Sequence, residues 1–279
     1  MTASGVSRGS TPATDATTVL VVASDRDRVA ARLARELRAR GRDALLIDGA
    51  EAARMFTIRV DGASASVTPS CPMFMRRSAW WRDAEPASDD ERFLTMECYS
   101  TVWAAAALTD APVVNRPGVR GWPGRLTAAT IEHVAGDGTH GVVEVHASGP
   151  ERATISNGNG SARVPWGKNV QRGTGAVERL PAGVPLRARA VDPNEAYEIV
   201  TVVGTRAFTA TNDALSASLD LCARSIELAQ RAELLFATVA WAVHGGEAEP
   251  VRIDANAKDK DLRFAWPEIA DALCEELLR

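Results

Sequence analysis

Tyr197-Glu198-Ile199-Val200-Thr201-Val202-Val203-Gly204-Thr205-Arg206-Ala207-Phe208-Thr209-Ala210-Thr211 decides the fold. Its valines, isoleucine, threonines and aromatic residues suit a pleated, half-buried surface, and Gly204-Thr205 supplies a two-residue turn between two strands. A capped amphipathic helix follows, with Leu219, Cys222, Ile226 and Ala229 on one face, and then a strand from Leu234 to Val243. His244-Gly245-Gly246 turns the chain into a further strand, Val251 to Ala257 (V-R-I-D-A-N-A). Residues two apart on a strand face the same side, so Asp254 and Asn256 can offer two oxygens to one hard cation. The alternative is that both only cap the strand's end.

The amino-terminal third has a different rhythm. Thr18 to Ala23 is a short apolar run read as a buried strand, and Ser24 is the expected N-cap of the next helix. Val29, Leu33 and Leu37 recur every four residues, arginines occupy the other faces, and Gly41 stops the helix before a strand at Ala44 to Ile47. Such a β-α-β start favours parallel pairing with a right-handed crossover. Ala23-Ser24-Asp25 stands where a dinucleotide fold needs glycines, which excludes a Rossmann dehydrogenase.

Further on, Asp61-Gly62 joins two strands as a hairpin, Met55 to Val60 and Ala63 to Val67, and Pro72 to Arg76 forms another strand. Arg76, Arg77, Trp80, Trp81 and Arg82 then combine charge with aromatic surface, suited to an anionic or peptide substrate or to packing between lobes. Ser88 and Glu91 form a capping box at the head of a long helix carrying Phe93, Met96, Val102, Trp103 and Ala106. Pro112 to Asn115 returns to a strand, and Asn115 to Gly118 closes the lobe.

Arg76-Arg77 to Trp81, then a long helix, then Val114-Asn115-Arg116-Pro117 is an order that resembles the amino-terminal lobe of ATP-grasp enzymes, the microviridin-type ribosomal-peptide maturases and RimK-like ligases. P-E-R-A-T-I-S-N, from Pro150 to Asn157, is similar to the family's entry into its central lobe, and V-T-V-V-G-T-R-A-F to its central strand pair. The resemblance implies an α/β, ATP-grasp-like fold, with an open α/β lobe over 18–118 and a nucleotide-binding part over 119–279; residues 1–17, rich in Ser, Thr and Gly, are read from composition as a disordered tail before it. The nucleotide-binding part comprises a reduced central lobe and a carboxyl-terminal mixed-sheet lobe.

The resemblance also implies a site. Lys168 and Arg206 take catalytic roles, Lys168 with Gly173, Thr174, Gly175 and Glu198 holds ATP, and Asp254 and Asn256 hold Mg2+. Glycines let backbone amides approach phosphate closely, and an ammonium offsets phosphate charge. Three departures stand out: Trp241 falls where the family has an acidic metal ligand, Ile199 where it has an arginine, and Ala257 where a proline follows the metal asparagine. Arg187 and Arg189 are candidates to take over that arginine's charge.

Composition limits the alternatives. In 279 residues, 46% are apolar, 24% are charged and the net charge is −4, which argues neither for disorder nor for a nucleic-acid surface. Met1 to Thr18 lacks the apolar centre of a secretory signal, and the run from Leu234 to Val243 is too short to span a membrane, so a cytoplasmic protein is expected. The four cysteines form no C-x-x-C pair. The reading is therefore a ligase joining a carboxylate to an amine or hydroxyl through an acyl phosphate, with ATP and a carboxylate-bearing peptide or amino acid as substrates. The alternative is a catalytically degenerate relative that binds a peptide without ATP turnover; a homodimer or partner protein is left open.

Overall fold

A strand in the middle of a parallel sheet is covered on both faces, so it must be apolar at every position. In the computed structural model β1 (Val19–Val22) is such a strand, buried throughout. The structure describes residues 18–76, 88–118, 124, 126, 128–135, 142–146, 153–154, 162–163, 176–177, 185–190, 196–210, 219–244 and 246–279. The chain divides into two units: residues up to 122 with Leu273–Arg279, and Pro123–Ala272.

In the first unit β1, β2 (Ala44–Ile47), β5 (Met73–Met75) and β6 (Val113–Val114) form an all-parallel sheet in the order β2-β1-β5-β6. Helix α1 (Arg28–Ala39) buries Val29, Ala30, Leu33, Ala34 and Leu37. Each fully buried leucine contributes about 1.5–3 kcal/mol. Its N-cap is Asp27, whose carboxylate accepts the Ala30 N–H at 2.9 Å. Ser24, expected in that role, accepts the Arg26 N–H at 3.1 Å in the preceding turn. The helix starts later than expected because Asp27 stands next to the first turn that faces the core.

A short helix, α2 (Gly49–Met55), was not expected. Asp48 caps it by accepting the Glu51 N–H at 2.9 Å, and Ala52 is buried where the helix packs against α3 (Asp89–Leu108). The hairpin after it, β3 (Thr57–Asp61) and β4 (Ser64–Thr68), turns at Gly62, whose φ of 57° is a left-handed conformation suited to glycine. Ser88 caps α3 as its box predicts, accepting the Glu91 N–H at 3.2 Å. Burial in α3 is confined to Val102, Ala105 and Ala106, while Phe93 and Met96 of the expected apolar stripe are exposed. Arg116 ties off the carboxyl end of α3, donating to the carbonyls of Ala106, Ala107, Thr109 and Ala111.

The second unit contains α4 (Ala128–Ala135) and short strands in two small sheets. β7 (Val142–His146), β9 (Ala162–Arg163) and β11 (Pro185–Ala190) form one, with β11 central, and β8 (Ala153–Thr154) pairs with β10 (Ala176–Val177). Its main sheet is antiparallel, in the order β13-β12-β14-β15: β12 (Ala196–Val203), β13 (Arg206–Thr209), β14 (Phe236–His244) and β15 (Glu247–Asp254). The deciding stretch is thus the hairpin β12–β13. Helix α5 (Leu221–Arg231) buries Leu221, Ser225, Leu228 and Ala229, the apolar core of this unit joining them to Val200, Val202, Val239, Trp241 and Ile253. After β15 come α6 (Asp259–Leu262), a 3-10 turn (Arg263–Ala265) and α7 (Trp266–Leu277).

Candidate functional site

Alternation along a strand and pairing across strands together assign every side chain of the main sheet to a face. Val200, Val239 and Ile253 lie in one cross-strand row and belong to the apolar core, so their face is the one that packs on α5. The next row, Phe208, Thr201, Thr238 and Asp254, lies on the opposite face. So does the row Ile199, Ala240 and Arg252, and so does the row Arg206, Val203 and Phe236.

Asp254 therefore ends β15 on the face away from α5. Its Oδ1 accepts the Asn256 N–H at 2.9 Å, and Asn256 stands in the bend that follows the strand rather than within it. Asp254 thus caps the chain's exit from the sheet through one of its two carboxylate oxygens. Thr238, its partner on β14, donates through Oγ1 to the Asp254 carbonyl at 3.4 Å. Arg206 shares this face but stands on the opposite edge strand, three strand spacings or about 14 Å away.

The structure corrects the expected place of Trp241. The residue set against Asp254 on β14 is Thr238, and the register shifts between Ala240 and Trp241. The indole points to the other face, where it is 1% exposed, donates from Nε1 to Ser225 Oγ at 2.8 Å, and lies beneath the Arg224 guanidinium at 4.4 Å. It does not fill the space beside Asp254. Glu198 pairs with Trp241 and shares the indole's face, so the fold does not bring Glu198 to Asp254.

Sequence reasoning passed over Arg252. It follows Asp254 backward by two residues on the same face, in the row of Ile199, where the resemblance expects an arginine. Its Nη2 donates to Asp261 Oδ2 at 3.3 Å, and its buried Nε has no hydrogen-bond partner. The side chains of Arg252 and Asp261 are 22% and 6% exposed. Thr201 Oγ1, fully buried in the row of Asp254, also has none. The signal in the sequence was the i, i+2 spacing of Arg252 and Asp254. The candidates for the missing arginine, Arg187 and Arg189, stand instead on β11 in another sheet.

In the first unit, Arg76 follows β5 and is 7% exposed. Its Nε donates to Asp27 Oδ2 at 2.7 Å, so this guanidinium joins the end of β5 to the head of α1. Arg77, Trp80, Trp81, Arg82, Lys168, Gly173, Thr174 and Gly175 lie outside the described residues. Burial pushes the Cys71 thiol up to about 11 and raises those of Cys222 and Cys274, so these three are thiols rather than thiolates near neutrality.

A carboxylate and an amide oxygen, the groups expected of Asp254 and Asn256, are hard-oxygen donors. They match what magnesium asks of a protein when substrate phosphates and water complete its shell. Among the described residues no group of three His, Cys, Asp or Glu side chains gathers to hold a metal by itself. No helix among them is long and apolar enough to cross a membrane.

No protein-family model and no curated protein matches the chain. Solved structures do. The ATP-grasp ligase PsnB in complex with precursor peptide PsnA2 and AMPPNP superposes with a TM-score of 0.60 at 14% identity, over 96% of this chain and 100% of that one. The macrocyclase MdnC from Microcystis aeruginosa MRC, bound with precursor peptide MdnA, gives 0.56 at 14% identity over 94% and 99%. A RiPP-associated ATP-grasp ligase of Chryseobacterium gregarium, in complex with ADP and a leader and core peptide, gives 0.53 at 12% over 94% and 96%. Matches of nearly full length on both sides, at an identity this low, speak to architecture: the chain has the fold of the ATP-grasp ligases.

Proposed function

We propose that this chain is an ATP-dependent ligase that joins a carboxylate of a peptide or amino acid to an amine or hydroxyl. What carries the reading is the face of the main sheet on which Asp254 and Arg206 both stand, in a fold whose solved neighbours hold adenine nucleotides and precursor peptides. In the first step a substrate carboxylate oxygen attacks the γ-phosphorus of ATP, the bond to the bridging oxygen breaks, and ADP leaves. An amine or hydroxyl then attacks the acyl carbon, inorganic phosphate departs with the C–O bond's electrons, and the nucleophile's proton passes to solvent or phosphate.

Such chemistry needs positioning and charge more than covalent help. Lys168 steadies the phosphates, and Gly173, Thr174 and Gly175 let the backbone close over them and keep water from the acyl phosphate. Arg206 meets the charge that develops on the transferred group. Asp254 and Asn256 hold magnesium, which when bound neutralises phosphate oxygens. Arg76 is engaged with Asp27, so substrate recognition falls to Arg77, Trp80, Trp81 and Arg82. The cellular setting that fits is cytoplasmic peptide modification in natural-product synthesis.

A second reading has one observation in its favour. Thr238, and not a carboxylate, stands opposite Asp254, so the described part of the row carries a single acidic side chain. A protein that recognises a peptide without spending ATP is consistent with that. A thermal-shift titration with ATP, ADP and magnesium separates the two, because a ligand of the folded state raises the melting temperature. Phosphate release over a panel of peptides and amino acids then tests turnover. Rates in Lys168→Ala and Asp254→Ala equal to the wild-type rate would sink the ligase reading.

A further inference from the structure

Arg252 is an expensive residue to keep where it stands. A guanidinium carries five donors in a rigid fork, and this one makes a single hydrogen bond, to Asp261 Oδ2, at a length that is long for a charge-assisted contact. Its Nε is buried with no acceptor. A buried donor without a partner costs about 1–3 kcal/mol, and a well-packed apolar residue often serves stability better than a buried ion pair. Its cross-strand neighbour Ala240 offers only a methyl group and no acceptor.

Two further groups on the face share this want of a partner, and their chemistry is complementary. Thr201 Oγ1 is fully buried in the row of Asp254 and makes no hydrogen bond. Asp254 has one carboxylate oxygen engaged by the Asn256 N–H and one left over. The first two groups can donate to an anionic oxygen, and the third calls for a cation. A ligand that brings both charges at once, a phosphate with its metal, satisfies all three.

From this we infer that Arg252 is a nucleotide-phosphate contact, its fixed positive charge supplying part of what a magnesium ion supplies elsewhere, and that Asp261 is the positioning residue that holds its fork. The inference rests on the ligase reading in that it takes this face to be the nucleotide face. It adds that binding is only partly dependent on magnesium. The Arg252 guanidinium keeps its charge and its exposed N–H groups when the metal is removed, so part of the attraction for phosphate outlasts the metal against the repulsion of Asp254 and Asp261, whereas a site relying on metal alone keeps none.

The experiment is calorimetric titration of ADP into wild-type, Arg252→Met, Arg252→Lys and Asp261→Asn proteins, each in excess magnesium and again in EDTA, with circular dichroism to confirm folding. Wild type is expected to bind in both media. Arg252→Met should bind about tenfold or more weakly in magnesium, the scale of losing a charged hydrogen bond, and not measurably in EDTA. Arg252→Lys keeps the charge without the fork and should lie between, as should Asp261→Asn. Equal affinity of wild type and Arg252→Met for ADP in magnesium overturns the inference and leaves the ligase reading intact. Complete loss of wild-type binding in EDTA also overturns it, and needs no variant to fold. No binding by wild type in either medium overturns both.

Discussion

The two faces of the sheet β13-β12-β14-β15 are built from the same strands and treat polar groups in opposite ways. On the face toward α5 the polar groups around the indole are engaged: Trp241 Nε1 meets Ser225 Oγ, and Arg224 lies over the ring while its Nη2 donates to the Ala248 carbonyl at 2.8 Å. On the other face Thr201 Oγ1 and Arg252 Nε are buried and unmatched, and Asp254 is half engaged. A scaffold gains nothing by burying an unsatisfied donor, whereas a binding site gains a partner when its ligand arrives. On this difference rests the proposal that one face supports and the other recognises.

The largest effect should come from the supporting face. Trp241→Ala removes the largest fully buried side chain among the described residues and should cost about 3–5 kcal/mol of stability, read as a lower midpoint in urea unfolding. If the comparison is right, whatever protein remains folded keeps its nucleotide response; a selective loss of nucleotide binding without loss of stability would break it. Ser225→Ala is the gentler form of the same test. It strips the indole N–H of its acceptor in a fully buried place, for an expected loss of about 1–3 kcal/mol with the nucleotide response unchanged.

How much of this was legible in the sequence depends on the range of the interaction concerned. The turn at Asp61-Gly62, the Ser88–Glu91 cap and the strands on either side of Gly204-Thr205 are settled within a few residues, and sequence reading placed them. Trp241 was set where the resemblance has an acidic ligand, but the alignment of β14 against β15 is a long-range property: it puts Thr238 opposite Asp254, and Trp241, three residues further along β14, falls on the other face. The same parity moves Glu198 away from Asp254. Arg76 pairs with a residue 49 positions earlier in the chain, a distance over which no local pattern speaks. Helix α2 escaped because its seven residues, with buried positions only at Gly49 and Ala52, carry almost no periodic signal.

The smallest predicted change is the one that sharpens the comparison most. Thr201→Val exchanges a buried hydroxyl that makes no hydrogen bond for a methyl group of nearly the same shape. On a supporting face, where hydroxyls are matched, that substitution removes a bond and costs stability. Here it removes an unmet demand, so the ligand-free protein should gain about 1 kcal/mol, or about 2–4 °C in melting temperature for a chain of this size. The gain should be offset on titration with ADP and magnesium, where Thr201→Val shows a smaller stabilising shift than wild type because the hydroxyl no longer meets its ligand. Stability that rises while the ligand's contribution falls is the signature of a group retained for binding. A variant less stable than wild type, with an unchanged nucleotide shift, would mean that Thr201 belongs to the scaffold and that the two faces differ less than their hydrogen bonds suggest.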